Sequence, residues 1–138
     1  MSILKRPDRI RQLPRFRDVS TEHMNRIATT GTVVTVPAGW SMITEGSPPD
    51  DAYLIMEGTV VVRRQGEELA TLAPGDIIGE ISLHEHRLRT ATVTAQTPLE
   101  LLHLTRGEFR QLYDDVPDFR AAVDATVEER LGSDDETG

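Results

Sequence analysis

The sequence predicts a mainly β protein with flanking α-helices, folded as an antiparallel sandwich or jelly roll. About eight short β-prone segments follow one another between residues 32 and 104, and most of them end at a turn marked by Gly or Pro. Helical patterns lie on either side of this region, from Ser20 to Gly31 and from Thr105 to Leu131. This order indicates a β core with helices packed on it from both ends of the chain.

Two helical segments are predicted ahead of the strands. In residues 8–18 apolar side chains recur every three positions, which predicts a short helix or turn that Pro14 interrupts. A second helix begins at Ser20, whose side chain can cap it, and ends at Gly31. The apolar stripe of this helix consists of Met24, Ile27 and Ala28.

From Thr32 the hydrophobic pattern changes to a period of two, which indicates β-strands. The clearest strands occupy residues 32–36, 41–45, 52–56, 59–64, 69–72, 90–97 and 99–104, and a short apolar run lies at 77–78. The run 52–56 is apolar almost throughout, so a buried strand is expected there. The paired acids Asp50 and Asp51 are assigned to the turn before it, where contact with solvent is the expectation.

Two helices are predicted after the strands. Thr105, with Glu108 three residues further on, forms a capping box that begins the first of them. Pro117 begins the second helix and Gly132 ends it. The inward-facing residues of this last helix are Phe119, Ala122, Val123, Val127 and Leu131.

The chain is predicted to hold one domain, at residues 20–131, with a basic N-terminal segment at 1–19 and an acidic, flexible tail at 132–138. Within the domain, the β-roll covers about 32–104 and the C-terminal helices about 105–131. Residues 1–17 carry a charge of +5 and residues 106–138 a charge of −6. The two ends can therefore attract each other or a partner protein.

Composition argues against several classes of function. A net charge of −8 argues against direct binding to DNA. No run approaches the roughly 18 apolar residues that cross a membrane, and the absence of cysteine fits a cytoplasmic location. No Ser-His-acid grouping and no phosphate-binding GxxxxGK motif can be assembled, so the chain is expected to be a non-enzyme without a metal site.

Several conspicuous side chains are expected to be structural. His23 and His103 stand alone in a predicted helix and strand, and Trp40 follows a turn, where it is expected to anchor the core or its rim. The pair His84 and His86 has the spacing of a metal-binding motif, but its surroundings favour a tip that faces solvent.

Residues 79–91, reading GEISLHEHRLRTA, contain the clearest chemical signal. A predicted helical turn follows Gly79, and the N–H groups at a helix N-terminus attract anions. Arg89 adds a planar cation that can meet two phosphate oxygens at once. Glu80 beside the same turn can accept protons from sugar hydroxyls. Together these groups indicate a site for a nucleotide with a ribose hydroxyl.

The sequence resembles the cyclic-nucleotide-binding domain family, the module shared by catabolite activator proteins, kinase regulatory subunits and cyclic-nucleotide-gated channels. The resemblance covers roughly residues 14 to 131. It rests on several short motifs in the family's order, namely Val36-Pro37-Ala38-Gly39, Glu45-Gly46, Ala52-Tyr53-Leu54-Ile55 with Gly58, Leu72, Pro74-Gly75-Asp76, Gly79-Glu80-Ile81-Ser82-Leu83 and Arg89-Thr90-Ala91.

The resemblance implies a jelly roll of the double-stranded β-helix type and makes residues 79–91 a phosphate-binding cassette. Arg89 would pair with the cyclic phosphate and Glu80 would accept from the ribose 2′-hydroxyl. The other residues implied are Gly79 and the N–H groups of Ile81 and Ser82 at the phosphate, Val62, Ile78 and Ala91 along an apolar wall, and Val123 or Val127 as a cap over the base.

Three positions bear on the ligand. Leu88 stands where the family often has proline, and His86 where it often has glycine, which bears on affinity. Thr90 follows the arginine, where a hydroxyl can contact a guanine edge in some members of the family. Cyclic AMP is the favoured ligand and cyclic GMP the alternative.

The expected function is a stand-alone, cytoplasmic cyclic-nucleotide sensor that signals through its C-terminal helices to a partner protein. The last helix would also permit a homodimer. The sequence shows no helix-turn-helix for direct DNA binding and no membrane span. Two alternatives remain open, a scaffold with the same fold that binds no nucleotide and a regulator of transcription that acts through a DNA-binding partner.

Overall fold

A computed structural model describes residues 6–79 and 88–133, except for the side chains of 6–8, 127 and 129–133. Within these ranges the chain forms four helices and eight strands. The helices are α1 (Arg6–Arg11), α2 (Thr21–Thr30), α3 (Arg106–Asp115) and α4 (Pro117–Ser133). The strands are β1 (Thr32–Val36), β2 (Ser41–Ile43), β3 (Asp51–Glu57), β4 (Val60–Arg64), β5 (Glu67–Leu72), β6 (Ile77–Ile78), β7 (Thr92–Ala95) and β8 (Leu99–Thr105).

The strands form two four-stranded antiparallel sheets. The first sheet has the order β1-β8-β3-β6 and the second the order β2-β7-β4-β5. Apart from β4 and β5, which form a hairpin, neighbours in each sheet are not consecutive in sequence, as in a jelly roll, where strands alternate between two facing sheets. The predicted fold class, mainly β with flanking helices, is confirmed.

Both faces of the first sheet are buried, so the sheet lies between two apolar cores. On β3, Leu54 and Met56 face a core shared with the helices, whereas Ile55 faces a core between the two sheets. On β8, Leu102 belongs to the helical core and Leu101 to the core between the sheets. Side chains alternate along a strand, so a sheet buried on both faces reads as a continuous apolar run. This explains the pattern predicted at 52–56.

The N-terminal segment packs with the domain in its described part. Ile10, Leu13, Phe16 and Val19 are all buried in the helical core. The sequence analysis placed residues 1–19 outside the domain because their basic charge dominates the pattern. The apolar residues of this segment recur every three positions, and this spacing brings them to one face.

The helix boundaries follow from their caps. Ser20 Oγ accepts from the His23 N–H at 3.2 Å, which confirms the predicted N-cap of α2. The capping box at Thr105 and Glu108 is confirmed in both directions. The last helix continues through the predicted stop at Gly132 to Ser133. Among the described helices, none has the length and apolar character needed to cross a membrane.

Two side chains differ from their predicted surroundings. Trp40, expected to anchor the core or its rim, has 66% of its surface exposed. Asp51, assigned to a turn in solvent, is the first residue of β3 and is only partly exposed. The second difference matters for the site, because β3 carries this carboxylate to Arg89.

Candidate functional site

The predicted phosphate-binding segment is described at its two ends. Gly79 follows β6, and Arg89 and Thr90 precede β7. Glu80, Ile81 and Ser82, which the sequence analysis assigned to the ribose and the phosphate, lie outside the described residues, as do His84 and His86. The geometry of the site therefore comes from the residues around Gly79 and Arg89.

Arg89 lies between the two sheets with only 4% of its surface exposed. Its Nη1 donates to the Gly79 carbonyl at 2.7 Å, and its Nη2 donates to Asp51 Oδ1 at 3.1 Å and to the Asp51 carbonyl. Backbone hydrogen bonds to Gly46 and Ser47 hold its main chain, at 2.8 and 2.9 Å. Strand β7 begins at Thr92 and not at the predicted residue 90.

Gly79 is required at its position for two reasons. Its φ of +88° lies in the left-handed region that side chains rarely adopt. A Cβ there would stand 2.7 Å from Arg89 Nη1 and 3.1 Å from the Asp51 carbonyl. The missing side chain therefore provides the space in which the guanidinium lies.

Asp51 is the counter-charge of Arg89 and connects it to two further side chains. Its Oδ2 is 2.9 Å from His103 Nε2 and accepts from the Tyr53 hydroxyl at 3.2 Å. Tyr53 and His103 are direct partners in the pairing of β3 with β8, with ring centroids 5.1 Å apart. Burial, followed by the charge of Asp51, raises the pKa of Tyr53 to about 12.

This network was missed from the sequence, where Asp51 was assigned to solvent and His103 to structure alone. The only local signal was the alternation that places Asp51 and Tyr53 on the same face of a strand. The contact with Arg89 depends on a strand 38 positions away in sequence. No pattern within a short window reports such a contact.

The predicted apolar wall is assembled in part. Val62, Ile78 and Ala91 are buried together in the core between the sheets, with 3%, 1% and 4% of their surfaces exposed. Val123, predicted as a cap over the base, is buried instead in the helical core on the other face of the first sheet. The side chain of Val127, the other predicted cap, lies outside the described residues.

Thr90 and Arg64 continue the site beyond Arg89. The Thr90 hydroxyl is buried and has no hydrogen-bond partner within residues 6–79 and 88–133. Arg64 Nε donates to the Thr90 carbonyl at 3.0 Å. The sequence analysis identified Thr90 but not Arg64, which was treated as the end of a strand.

The chemistry that these residues support is anion binding. The guanidinium of Arg89 is buried, and both of its Nη atoms are hydrogen-bonded. Binding an anion there therefore requires little further loss of side-chain entropy. The described part of the chain contains no group of three or more His, Asp or Glu side chains arranged to hold a metal ion. The arrangement has a fixed cation, an apolar wall and polar groups of Thr90 and Arg64 at one end.

Comparison with known families gives one match over most of the chain. The model described as "Cyclic nucleotide-binding domain" matches residues 33–116. Among curated proteins, the chain is 34% identical over 119 residues to a cAMP-dependent protein kinase regulatory subunit of Yarrowia lipolytica, covering 85% of this chain and 32% of the relative. The chain spans between 27% and 37% of the length of the three curated relatives compared.

Solved structures that are similar over most of the chain include two of 28% identity or more. The N-terminal domain of a transcriptional regulator from Streptomyces coelicolor is 32% identical, with a TM-score of 0.69, covering 95% of this chain and 98% of that one. The catabolite activator protein of Thermus thermophilus is 28% identical, with a TM-score of 0.77, covering 88% of this chain and 60% of that one.

Proposed function

Because the chain belongs to the cyclic-nucleotide-binding domain family, we propose that it is a cyclic-nucleotide receptor that relays binding to a partner protein through its C-terminal helices. Cyclic AMP is the first ligand in this proposal and cyclic GMP the alternative. The domain binds its ligand without transforming it. The homodimer expected through α4 belongs to the same proposal.

The observation that carries the proposal is the buried Arg89. Its guanidinium is anchored to the Gly79 carbonyl and Asp51, between the sheets and beside the apolar wall of the core. A buried cation with this support suits a phosphate, since bidentate contacts to phosphate oxygens are among the strongest charge-assisted hydrogen bonds. The adjoining apolar surface suits a purine.

The names of relatives support cyclic AMP as the first candidate. The Yarrowia relative is named a cAMP-dependent regulatory subunit, and one similar structure is titled a cAMP-binding acyltransferase from Mycobacterium smegmatis. The Streptomyces neighbour is part of a transcriptional regulator, so action through a DNA-binding partner remains the alternative route for the signal.

The test is isothermal titration of nucleotide-stripped protein with cyclic AMP and cyclic GMP. We expect saturable binding to at least one of them and a loss of at least about a hundredfold in affinity for Arg89→Ala, because two charge-assisted contacts disappear. Arg89→Lys retains the positive charge but not the planar guanidinium that can contact two phosphate oxygens at once. This variant should bind with intermediate affinity.

The matched control is Arg63→Ala, which removes the same charge from an exposed position. This variant should bind like the unaltered protein. Circular dichroism of every variant separates loss of binding from loss of fold. If the folded, unaltered protein releases no heat with either nucleotide, the receptor proposal is wrong, and the scaffold alternative takes its place.

A further inference from the structure

His103 is connected to Arg89 through one carboxylate. Asp51 contacts Arg89 Nη2 with its Oδ1 at 3.1 Å and His103 Nε2 with its Oδ2 at 2.9 Å. The imidazole stands over β3 because His103 lies opposite Tyr53, two residues after Asp51 on the same strand. A change in the charge of His103 therefore acts on the anion site through Asp51.

The contact with Asp51 determines which nitrogen of the imidazole exchanges a proton. An ionised carboxylate only accepts hydrogen bonds, so Nε2 carries the hydrogen that His103 donates to Asp51. The other nitrogen, Nδ1, then gains or loses the proton that changes the charge of the ring. The side chain of His103 is 27% exposed, so solvent can supply this proton.

Tyr53 is the second side chain that contacts His103. The centroids of the two rings are 5.1 Å apart, and the Tyr53 hydroxyl donates to Asp51 Oδ2 at 3.2 Å. Burial, followed by the charge of Asp51, raises the pKa of Tyr53 to about 12, so its hydroxyl stays neutral near pH 7. Thr32, opposite His103 on β1, carries no charge. Among the described residues, the charges that face His103 are therefore those of Asp51 and, behind it, Arg89.

The charge of the imidazole decides the net charge of this cluster. When His103 is neutral, the charge of Asp51 cancels that of Arg89 and opposes an incoming anion. When His103 is protonated, it offsets the carboxylate, and the three side chains together carry one net positive charge. We propose that His103 is a positioning residue that acts through Asp51 and makes nucleotide affinity depend on pH, so that its protonation strengthens binding of the phosphate. This inference rests on the proposed function.

The first experiment measures the dissociation constants of cyclic AMP and cyclic GMP between about pH 5.5 and 8, the range in which imidazole changes its charge. We expect the affinity of the unaltered protein to rise about fivefold as the pH falls, because one charge is added near a partly exposed site. His103→Gln keeps a side-chain N–H but gains no charge, so it should lose this rise. The remaining histidines are the same in both proteins, so the difference between the two profiles belongs to His103.

His23→Gln is the matched control. His23 Nδ1 also lies 2.8 Å from a carboxylate, that of Asp118, but between α2 and α4 on the helical side of the first sheet. The pH profile of this variant should follow that of the unaltered protein. His103→Lys carries a charge throughout the range, so near pH 8 it should bind nucleotide more tightly than His103→Gln does.

A second experiment tests the inference in the unaltered protein. If protonation favours the nucleotide, the nucleotide favours protonation to the same extent. Titration calorimetry in two buffers of different ionisation enthalpy, at about pH 6.5, should therefore show that binding takes up a fraction of a proton. The uptake should be smaller in His103→Gln. If the unaltered protein binds nucleotide without taking up protons, the role of His103 is overturned, whether or not the variants fold.

The outcomes separate the two proposals. If neither nucleotide binds the folded, unaltered protein, the receptor proposal and this inference are both overturned. If a nucleotide binds and the pH profiles of the unaltered protein and folded His103→Gln are parallel, the receptor proposal stands and the role of His103 is overturned. A loss of affinity with falling pH that depends on His103 has the same consequence.

Discussion

Single residues around Arg89 show how the chain keeps a cation buried before a ligand arrives. A buried charge without a partner is costly, and Asp51 supplies the opposite charge at 3.1 Å. The carboxylate is in turn positioned by Tyr53 and His103, so its two oxygens have different partners. The charge of Arg89 is therefore neutralised from within the chain, and the phosphate of the proposed ligand would add to or replace one of these contacts.

Replacing Asp51 by Asn tests this role of the carboxylate. The variant keeps the shape and removes the charge, so the buried guanidinium loses its ion pair with Asp51. We expect the free energy of unfolding of the ligand-free protein to fall by about 1–3 kcal/mol, discounted for the partial exposure of Asp51. A bound nucleotide should restore part of the loss, because its phosphate supplies the missing charge.

Urea unfolding with and without saturating nucleotide measures both effects. Asp50→Asn is the control, since it removes the same charge from the adjacent, exposed residue. A larger stabilisation by nucleotide in Asp51→Asn than in the control supports the counter-ion role. Equal stabilisation in the two variants would contradict it.

The start of helix α3 is determined by local hydrogen bonds. The capping box of α3 satisfies two backbone groups at once, with Glu108 N–H donating to Thr105 Oγ1 at 3.1 Å and Thr105 N–H donating to Glu108 Oε1 at 2.9 Å. Helix α3 begins directly after β8, so this box converts a buried strand into a helix without a loop. The junction fixes where the C-terminal helices leave the sheet.

Thr105→Ala should therefore destabilise the protein at this junction. We expect the free energy of unfolding to decrease by about 1 kcal/mol, because an N–H of the first turn loses its acceptor. Thr105→Ser keeps the hydroxyl and should be close to the unaltered protein. Thermal unfolding followed by circular dichroism compares the three proteins, and equal midpoints for Thr105→Ala and Thr105→Ser would show that the box contributes nothing measurable.

In the whole molecule, the site and the C-terminal helices lie on opposite faces of the first sheet. Arg89 and its network occupy the face between the sheets, whereas Phe119 and Val123 of α4 pack on the other face. The proposed signal between them must therefore pass through or around this sheet. Arg106, the first residue of α3, donates from its Nε and Nη2 to the Pro49 carbonyl at 3.2 and 2.6 Å, two residues before Asp51.

We expect Arg106→Ala to weaken the coupling between nucleotide binding and the helices. Hydrogen exchange of the α4 backbone, measured with and without saturating nucleotide, reports this coupling. In Arg106→Ala, the protection that nucleotide induces in α4 should be smaller than in the control Arg110→Ala. The control removes an exposed arginine from α3, the helix that also contains Arg106. A nucleotide effect of the same size in both variants would mean that the relay does not use this contact.

Much of the molecule was predictable because its signals are local. The period of two in the strands, the caps at Ser20 and Thr105 and the cassette at residues 79–91 are each contained in a short stretch of sequence. Local hydrogen bonding and the burial of one face create these patterns. They predicted the fold class, which the structure confirms, and a candidate anion site at residues 79–91, without any knowledge of which strands pair.

The partners of Arg89 were decided only by strand pairing. Tyr53 lies opposite His103 because β3 pairs with β8 in one register, and a shift of β3 by one residue would turn Tyr53 to the helical core, away from His103. Arg64 reaches Thr90 because β4 pairs with β7, with Arg63 opposite Thr92. These contacts join residues 26 to 52 positions apart, where sequence patterns carry no signal and only the closure of the two sheets brings the side chains together.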